Sequence, residues 1–395
     1  MSNYQSKKRK TVIITILIIV GLLVVGKITT SKHSVNNIQE VFQNDNILGI
    51  SKLISNVNEK NQDEFLVRID KMNQKLLQEQ ELRLGKLEKI QQQILSEIKA
   101  LKTPPPRASI RDKLVFVYPY DPTVKFPAYI WQAWKFGLND DRFEEKYREG
   151  ETQWAHKNPG FVHELFNDDT AHTIIKYLYH QIPEIEETYI KLPEVILKMD
   201  FFRYLILYAK GGVYADIDTY PLQPIPNWIP DNVSPNELGM IFAIETDSNS
   251  PNWKQEVHRR LQFGQFVIQS KPGHPILREV IARIVESTTI KSLDGEKLKL
   301  NALPHKKSLE ISKWTGSGIW TDVVFHYFND YIQSSIYQKV TWKDFHNLEV
   351  PKLVSDILIL PILSFASEIS IPKDGKISDP IAFVKHYAAN IWKSA

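Results

Sequence analysis

The sequence predicts an α/β body with a mostly parallel central sheet, preceded by a transmembrane helix and a helical stem. An uncharged apolar run lies near the start, and a polar stretch with helical periodicity follows it. The remaining sequence alternates short apolar runs with helical segments, which favours a parallel sheet with its ligand site at the carboxyl ends of the strands. With 395 residues, 43% of them hydrophobic, the chain can form a large core.

The first 26 residues predict a membrane anchor. Residues 1–10 form a tail that ends in the cationic run Lys7 to Lys10, and residues 11–26 carry no charge. As a helix this run would be about 24 Å long, which suits a thin membrane of the early secretory pathway. The cations before it favour a tail in the cytosol and the rest of the chain in the lumen. A cleaved signal peptide is the alternative interpretation.

Residues 27–102 predict a helical stem, which the prolines Pro104 to Pro106 in a linker at 103–112 bring to an end. Polar residues occupy some positions of its heptad pattern, and a coiled coil and a single solvated helix acting as a spacer are equally good interpretations. Apolar residues fall on the heptad positions Leu77, Leu84, Leu87, Ile94, Ile98 and Leu101.

Residues 113–395 predict one globular body. Its apolar runs indicate strands at Leu114 to Tyr118, Ala128 to Trp131, Val213 to Ile217, Gly239 to Ile244 and Gln265 to Gln269. Helical spacing indicates helices at Pro183 to Leu192, Val195 to Lys210, Pro275 to Glu286 and Val323 to Ile332.

Composition excludes several classes of function. A net charge of +3 is too small for a basic field that would attract nucleic acid. The chain has no cysteine, so disulfides, thiolate metal sites and cysteine nucleophiles are ruled out. It also has neither the Gly-x-Gly-x-x-Gly fingerprint nor a phosphate-binding Gly-Lys-Ser/Thr loop.

Four charged residues around one predicted strand point to the chemistry. Asp200 and Arg203 are three apart on one face of a helix that ends at a glycine pair, and Asp216 and Asp218 are two apart on the strand that follows. Two carboxylates on one side of a strand end suit a hard divalent cation, whose other ligands are typically phosphate oxygens. A solvated turn is the simpler interpretation of Asp-x-Asp alone, and an intrahelical ion pair is that of Asp200 with Arg203.

The whole string from Lys198 to Thr219, with Pro221-Leu-Gln-Pro224 after it, closely resembles the sugar-nucleotide motif of the fungal Golgi α-1,6-mannosyltransferase family. That family comprises the outer-chain initiating enzyme and its homologue in the mannan polymerase complex, and the layout of this chain is most similar to the latter. A more distant resemblance is to the glycosylating clostridial toxins. The resemblance implies a GT-A-like nucleotide-sugar-binding fold for a lumenal domain at 113–395.

The resemblance also implies roles for particular residues. Asp218, and Asp216 directly or through water, would hold Mn²⁺, while Asp200 and Arg203 would bind sugar hydroxyls and the diphosphate. Trp134, or failing that Trp131, lies in the segment that resembles the first-strand motif and would stack on the base, although either ring could simply belong to the core.

Two later segments also match the family. His386 begins a terminal motif that implies a further metal ligand, but the chain has Ile391 where the family commonly has Ser, so that part of the coordination is in doubt. Asp322 follows a glycine-rich segment and would lie near the sugar, or else would cap the next helix. Lys271-Pro-Gly-His274-Pro predicts a shaped turn with no chemical role.

The function implied by the resemblance is a retaining α-1,6-mannosyltransferase of the Golgi membrane, a single-pass type II protein. It would transfer mannose from GDP-mannose to the outer-chain mannan of N-glycans within a complex of other mannosyltransferase subunits. Two alternatives stay open at this point. One is a weakly active or non-catalytic architectural subunit, and the other is a lumenal transferase that uses another nucleotide sugar.

Overall fold

A computed structural model describes residues 62–101, 103–293, 304–332, 337–366 and 379–387. The chain divides into two units, residues 1–96 and 97–395. The predicted anchor at 11–26 and the tail before it lie outside the described residues. None of the helices in the described ranges is at once long and apolar enough to cross a membrane.

The described part of the first unit is helical: helix α1 spans Gln62–Leu101, and its last five residues are counted in the second unit. Its 40 residues correspond to a length of about 60 Å. Side chains on the predicted heptad pattern lie in solvent, with Leu77, Leu84 and Leu87 each more than half exposed. Pairing of this face with another helix stays a prediction.

The second unit contains the globular body. Its helices are α2 (Ile110–Val117), α3 (Glu145–Lys157), α4 (Asp168–Leu178), α5 (Pro183–Lys191), α6 (Val195–Lys210), α7 (Trp253–Glu256), α8 (Pro275–Leu293), α9 (Pro304–Trp314) and α10 (Ser317–His326). A π-helical turn at Tyr327–Tyr331 continues α10, and short 3₁₀ turns lie at Ile225–Trp228, Trp342–Asp344 and Ile362–Phe365.

The strands form one large sheet and one small one. They are β1 (Tyr129–Ala133), β2 (Val162–Phe166), β3 (Gly212–Ala215), β4 (Thr219–Pro221), β5 (Met240–Asp247), β6 (Leu261–Ser270), β7 (Lys352–Val354), β8 (Ile357–Leu360) and β9 (Val384–His386). The seven-stranded sheet has the order β2-β1-β3-β6-β5-β8-β7, and β4 pairs with β9.

The prediction of a mostly parallel sheet is confirmed only in part, because β1, β2, β3, β5 and β8 run in one direction but the sheet is mixed. Strand β6 is antiparallel to both of its neighbours, β3 and β5, and β7 is antiparallel to β8. Strands β5 and β6 follow each other through a loop that holds only the one-turn helix α7, so no crossover helix brings β6 back into the parallel direction.

The predicted strand Leu114 to Tyr118 is wrong, because Leu114 to Val117 belong to helix α2 and Tyr118 is its C-cap. Ser109 caps that helix by accepting a hydrogen bond of 3.2 Å from the amide of Asp112. Only Leu114 of the helix is buried. The run Leu-Val-Phe-Val has strand propensity, but the Ser-x-x-Asp cap before it is a helix-start signal.

Helix α6 begins and ends as predicted and forms the centre of the core. Its residues are apolar nearly all round, and every residue from Phe201 to Ala209 is buried. Gly211 stops it with φ of 65°, and the amide of Gly211 donates to the carbonyl of Leu207. Gly212 has φ of 94°, and a Cβ there would lie 2.7 Å from the carbonyl oxygen of Tyr129. Strand β3 can therefore leave the helix beside β1 only with glycine at this position.

The edge of the sheet where β5 and β8 begin is closed by a buried polar network around Asp356. Tyr120 and Tyr327 each donate a hydrogen bond of 2.8 Å to its carboxylate, and Nε2 of the buried His274 lies 3.2 Å from it. Burial opposes ionisation of Asp356. The hydrogen bond and the charge of His274, together with the hydrogen bonds of the two tyrosines, outweigh burial and lower the pKa of Asp356 to about 2. The Lys271 to Pro275 segment, including a Gly273 φ of 74°, is a turn at this edge.

We predict that Asp356→Asn lowers the free energy of unfolding by about 2 to 3 kcal/mol at pH 7, because hydrogen bonds to a charged acceptor are lost. A depressed carboxyl pKa stabilises the fold above about pH 4, and that stabilisation is lost as the pH falls toward 2. The difference from the parent chain should therefore shrink by about half at pH 3. Urea unfolding of the full chain at both pH values measures it. The exposed Asp231→Asn is the control, and a deficit that is independent of pH would contradict the role of charge.

Candidate functional site

The predicted site residues gather at the opposite edge of the sheet, where β1, β3 and β5 end and β6 begins. Strand β3 stops at Ala215, and Asp216 to Asp218 form a turn into β4. Two predictions are therefore wrong: the strand does not run to Ile217, and Asp216 and Asp218 do not lie on it. The amide of Asp216 donates to the carbonyl of Phe266, and Thr219 Oγ1 donates to the carbonyl of Asp216. The turn itself, held by these bonds, keeps the two carboxylates at the sheet edge.

Arg203 links helix α6 to this turn. Its Nη1 donates to Oδ1 of Asp200 at 2.8 Å, and its Nη2 donates to Oδ1 of Asp216 at 2.9 Å. The guanidinium also lies over the ring of Tyr214 at 5.1 Å from the ring centre. The intrahelical pair at i, i+3 is therefore present, and the same side chain spans from the helix to the acidic turn.

Asp200 is enclosed by protein on every side. It is 1% exposed and accepts hydrogen bonds from Thr315 Oγ1 at 2.9 Å and Gln265 Nε2 at 3.1 Å, in addition to Arg203. Burial raises the pKa of Asp200 to about 6, although the charge of Arg203 opposes this. In this geometry Asp200 orients Arg203, and the sugar contact implied by the family resemblance stays a prediction.

Asp218 contacts His386, which lies on the last described strand. His386 lies on β9, opposite Thr219 of β4, and its Nε2 is 3.5 Å from Oδ1 of Asp218. The imidazole stacks on Phe266 with the ring centres 4.1 Å apart. Burial lowers the pKa of His386, but the bond to Asp218 and the nearby charges outweigh it and raise the pKa. The structure therefore brings His386 to the acidic turn, as predicted, and its role as a ligand is a separate proposal.

The two candidate tryptophans have different surroundings. Trp131 is 6% exposed, donates its indole hydrogen to the carbonyl of Gly211 at 2.7 Å and stacks on Tyr129. It is a core residue and has no ring face available for a base. Trp134 is half-buried at the end of β1, donates to Glu144 at 2.9 Å and packs edge-on against Tyr147. Trp134 therefore keeps its role as the candidate base platform.

Asp322 lies inside helix α10, which begins at Ser317 with Gly316 as its N-cap. It therefore cannot cap that helix, and the predicted start at Val323 is too late. Both of its carboxylate oxygens accept hydrogen bonds of 2.7 Å from Arg259. The amide of Gly318 donates to Ser312 Oγ, so it is already engaged within the protein. The contact of Asp322 with sugar stays a prediction.

Three residues at this edge escaped the sequence reasoning. Gln265 and Thr315 hold Asp200 from a strand and a helix end far away in sequence. Glu245 follows the apolar run Met240 to Ile244, and a carboxylate at the end of such a strand was an available signal. Among the described residues, no group of three or more His, Asp or Glu side chains is arranged to hold a metal ion by itself.

The acidic pair nonetheless has the donor chemistry of a divalent-cation site that a diphosphate completes. The side chain of Asp216 is 26% exposed, whereas that of Asp218 is 12% exposed and Asp218 is a buried residue. Burial and the like charge of Asp218 raise the pKa of Asp216, against the charge of Arg203. A divalent cation would relieve that repulsion, and two protein carboxylates are the usual number where substrate phosphates supply the remaining ligands.

Comparison with known proteins decides the family. Residues 144–235 match a family model described as a glycosyltransferase sugar-binding region containing a DXD motif. The chain is 40% identical over 394 residues to HOC1 of Saccharomyces cerevisiae, which carries a provisional glycosyltransferase name, with 98% of this chain and 96% of HOC1 covered. It is 38% identical to the initiation-specific α-1,6-mannosyltransferase of Candida albicans, over 73% of this chain and 78% of that enzyme.

The chain belongs to this mannosyltransferase family. Membership confirms the resemblance stated from the motif, with the GT-A-like body now seen to have a mixed sheet. Among solved structures, PaToxG glycosyltransferase is 14% identical with a TM-score of 0.36, over 58% of this chain and 79% of that one, which is too weak to carry an argument.

We predict that Arg203→Lys lowers the free energy of unfolding by about 3 kcal/mol, because the compact ammonium lacks the planar guanidinium fork whose two nitrogens bond Asp200 and Asp216 separately, so buried carboxylate charge is less well compensated. Urea unfolding of the purified full chain measures this. Arg142→Lys, at a 70% exposed ion pair, should leave the urea midpoint unchanged. An equal, small effect of both substitutions would show that the bridge contributes nothing to folding.

Proposed function

We propose that the chain is a retaining α-1,6-mannosyltransferase that takes mannose from GDP-mannose and uses Mn²⁺. The observation that carries the proposal is the acidic turn at the sheet edge, with Asp216 tied to helix α6 through Arg203 and Asp218 tied to the chain end through His386. The names of the relatives support mannose as the sugar and α-1,6 as the linkage.

Asp218 and Asp216 would hold the cation, and His386 stands beside Asp218 as a third candidate ligand. When bound, a divalent cation neutralises charge on the leaving diphosphate. Arg203 fixes one oxygen of Asp216 through a bond of 2.9 Å, so that carboxylate is oriented before any substrate arrives. Trp134, at the end of β1, would take the base against its half-buried ring.

The acceptor proposed here is the outer-chain mannan of N-glycans, and the location is the Golgi membrane. The cationic tail and the uncharged run at 11–26 support a type II anchor, and the exposed apolar residues of α1 support association with other mannosyltransferase subunits. The same exposed face favours a second candidate function, an architectural subunit that binds the donor but turns it over slowly.

We expect Asp216→Ala and Asp218→Ala each to lower mannose transfer by at least about a thousandfold, because the diphosphate loses its charge compensation. The full chain is assayed with GDP-mannose, Mn²⁺ and a mannose oligosaccharide, and circular dichroism verifies that the variants are folded. Asp231→Ala, on the exposed surface, is the matched control. Full activity in a folded double variant would refute the metal role, and a parent chain that binds GDP-mannose but does not transfer mannose would favour the architectural function.

Donor identity has its own test. GDP-mannose at a hundred times its dissociation constant should raise the free energy of unfolding by about 2.7 kcal/mol, since it binds only the folded state. The shift should require Mn²⁺ and should be absent with Asp218→Ala. Stabilisation by UDP-glucose and not by GDP-mannose would replace the proposed donor with another nucleotide sugar.

A further inference from the structure

A third carboxylate, Glu245, lies near the end of β5 at the same edge of the sheet as the acidic turn and outside the matched family region at 144–235. Glu245 stands near the end of β5, where the pairing of β5 with β6 is irregular. Ile244 pairs with Phe263 and Thr246 pairs with Gln262, so Glu245 is the extra residue of a β-bulge. Bulges of this kind redirect a side chain and are common beside active sites.

Glu245 and Asp200 are held by the same two segments of the protein. Its carboxylate is 3.5 Å from Nε2 of Gln262 and also accepts a hydrogen bond from Ser317. Asp200 is held in a parallel manner by Gln265 and Thr315. Strand β6 and the segment that leads into α10 therefore support two carboxylates side by side.

The two carboxylates differ in their charge partners. Asp200 has Arg203 at 2.8 Å, whereas Glu245 has no ion-pair partner among the described residues. Burial raises the pKa of Glu245, and hydrogen bonds together with the more distant charges of His386 and Arg203 only partly oppose this. A desolvated carboxylate without a counter-ion lowers stability, and residues kept in that condition beside a cleft are commonly functional.

The order of the strands places Glu245 relative to the acidic turn. Glu245 interacts electrostatically with His386, which pairs with Asp218, and with Arg203, which pairs with Asp216. In the sheet, β5 lies on the other side of β3 from β1, so Glu245 and Trp134 are on opposite sides of the strand that leads into the acidic turn. If the diphosphate lies at the turn and the base near Trp134, the sugar of the donor extends toward Glu245.

We propose that Glu245 is a further catalytic residue that contacts the donor sugar, an inference that rests on the function proposed above. Its carboxylate accepts hydrogen bonds from sugar hydroxyls and stabilises the positive charge that develops at the anomeric carbon. That charge appears as the bond from the anomeric carbon to the phosphate oxygen breaks, because GDP leaves with the electron pair. The acceptor hydroxyl, or water in hydrolysis, forms the new bond to that carbon and releases its proton. Glu245 forms no covalent bond in this step.

The test compares the parent chain with Glu245→Gln, Glu245→Ala and Glu245→Asp, each purified at full length. Hydrolysis and transfer are measured with Mn²⁺ and GDP-mannose, GDP-fucose or UDP-glucose, and the variants are assayed with the donor that the parent uses best. Calorimetry gives the Kd of GDP, which has no sugar. Glu237→Gln, an exposed glutamate that precedes the same strand, is the control.

We expect kcat to fall by about a hundredfold or more in the Gln and Ala variants, the magnitude typical for loss of one charge-stabilising group. The Asp variant should keep part of the rate, and the Kd of GDP should stay within about threefold of the parent value, since the phosphate site is intact. A Gln variant with kcat within about threefold of the parent value would overturn the inference. A parallel loss of GDP affinity, or unfolding of the nearly isosteric Gln variant, would show a structural role and overturn it too.

The outcomes separate the two proposals. A parent chain that prefers another donor contradicts the GDP-mannose assignment but still tests Glu245 with that donor. A parent active with GDP-mannose whose Gln variant is equally active leaves the proposed function standing and removes Glu245 from the mechanism. A parent that neither hydrolyses nor transfers sugar from any of the three donors would overturn both.

Discussion

The bridge from Arg203 to two carboxylates is the interaction on which the architecture of this site depends. One guanidinium, 3% exposed, holds Asp200 of the central helix and Asp216 of the acidic turn at 2.8 and 2.9 Å. The helix is apolar nearly all round and is fixed by the core, so the bridge transfers that rigidity to a turn at the edge of the sheet. A turn would otherwise be among the more mobile parts of a protein. Preorganised charge of this kind is what an electrostatic mechanism needs.

The two edges of the sheet each contain a hydrogen-bonded aspartate, and the pKa values of these two aspartates are shifted in opposite directions. Asp356, at one edge, accepts hydrogen bonds from two tyrosines and lies against His274, and its pKa falls to about 2. Asp200, at the other edge, also has three partners, yet deeper burial raises its pKa to about 6. The first arrangement stabilises the fold at neutral pH. The second arrangement desolvates the carboxylate of Asp200 beside the acidic turn. This desolvation costs stability, as is common at functional sites.

Local patterns in the sequence predicted local structure well. Helix α6, the glycine pair that stops it and the grouping of Asp200, Arg203, Asp216 and Asp218 all follow from spacing and from the conformational freedom of glycine. The predictions that failed concern features that depend on residues outside the local sequence pattern. Apolar runs do not reveal whether two strands are joined as a hairpin, so the antiparallel direction of β6 was missed. The run Leu114 to Val117 has the composition of a strand, and its Ser109 cap decides for a helix.

The candidate site was predictable only in part for the same reason. Gln265 and Thr315 are ordinary polar residues in the sequence, and their function as holders of Asp200 appears only when β6 and the end of α9 reach helix α6. Trp131 and Trp134 share one motif, but the indole bond of Trp131 to Gly211 assigns it to the core. Likewise, the bidentate pair of Asp322 with Arg259 could not be read from the glycine-rich segment before it.

The small sheet of β4 and β9 ties the last part of the chain to the acidic turn. Strand β4 follows Asp218 directly, and its pairing with β9 places His386 opposite Thr219. The amide of Tyr387 donates to the carbonyl of Asp218 at 2.8 Å, so backbone and side chain of this aspartate are both held by the same late strand. One carboxylate of the turn is thus held by the central helix, which is local in sequence, and the other is held by a strand that lies far away in sequence. Because the loop closed by the second contact is long, its formation costs more chain entropy than the first. The Asp216 half of the turn is therefore tied to the central helix, and the Asp218 half is tied to the last described strand.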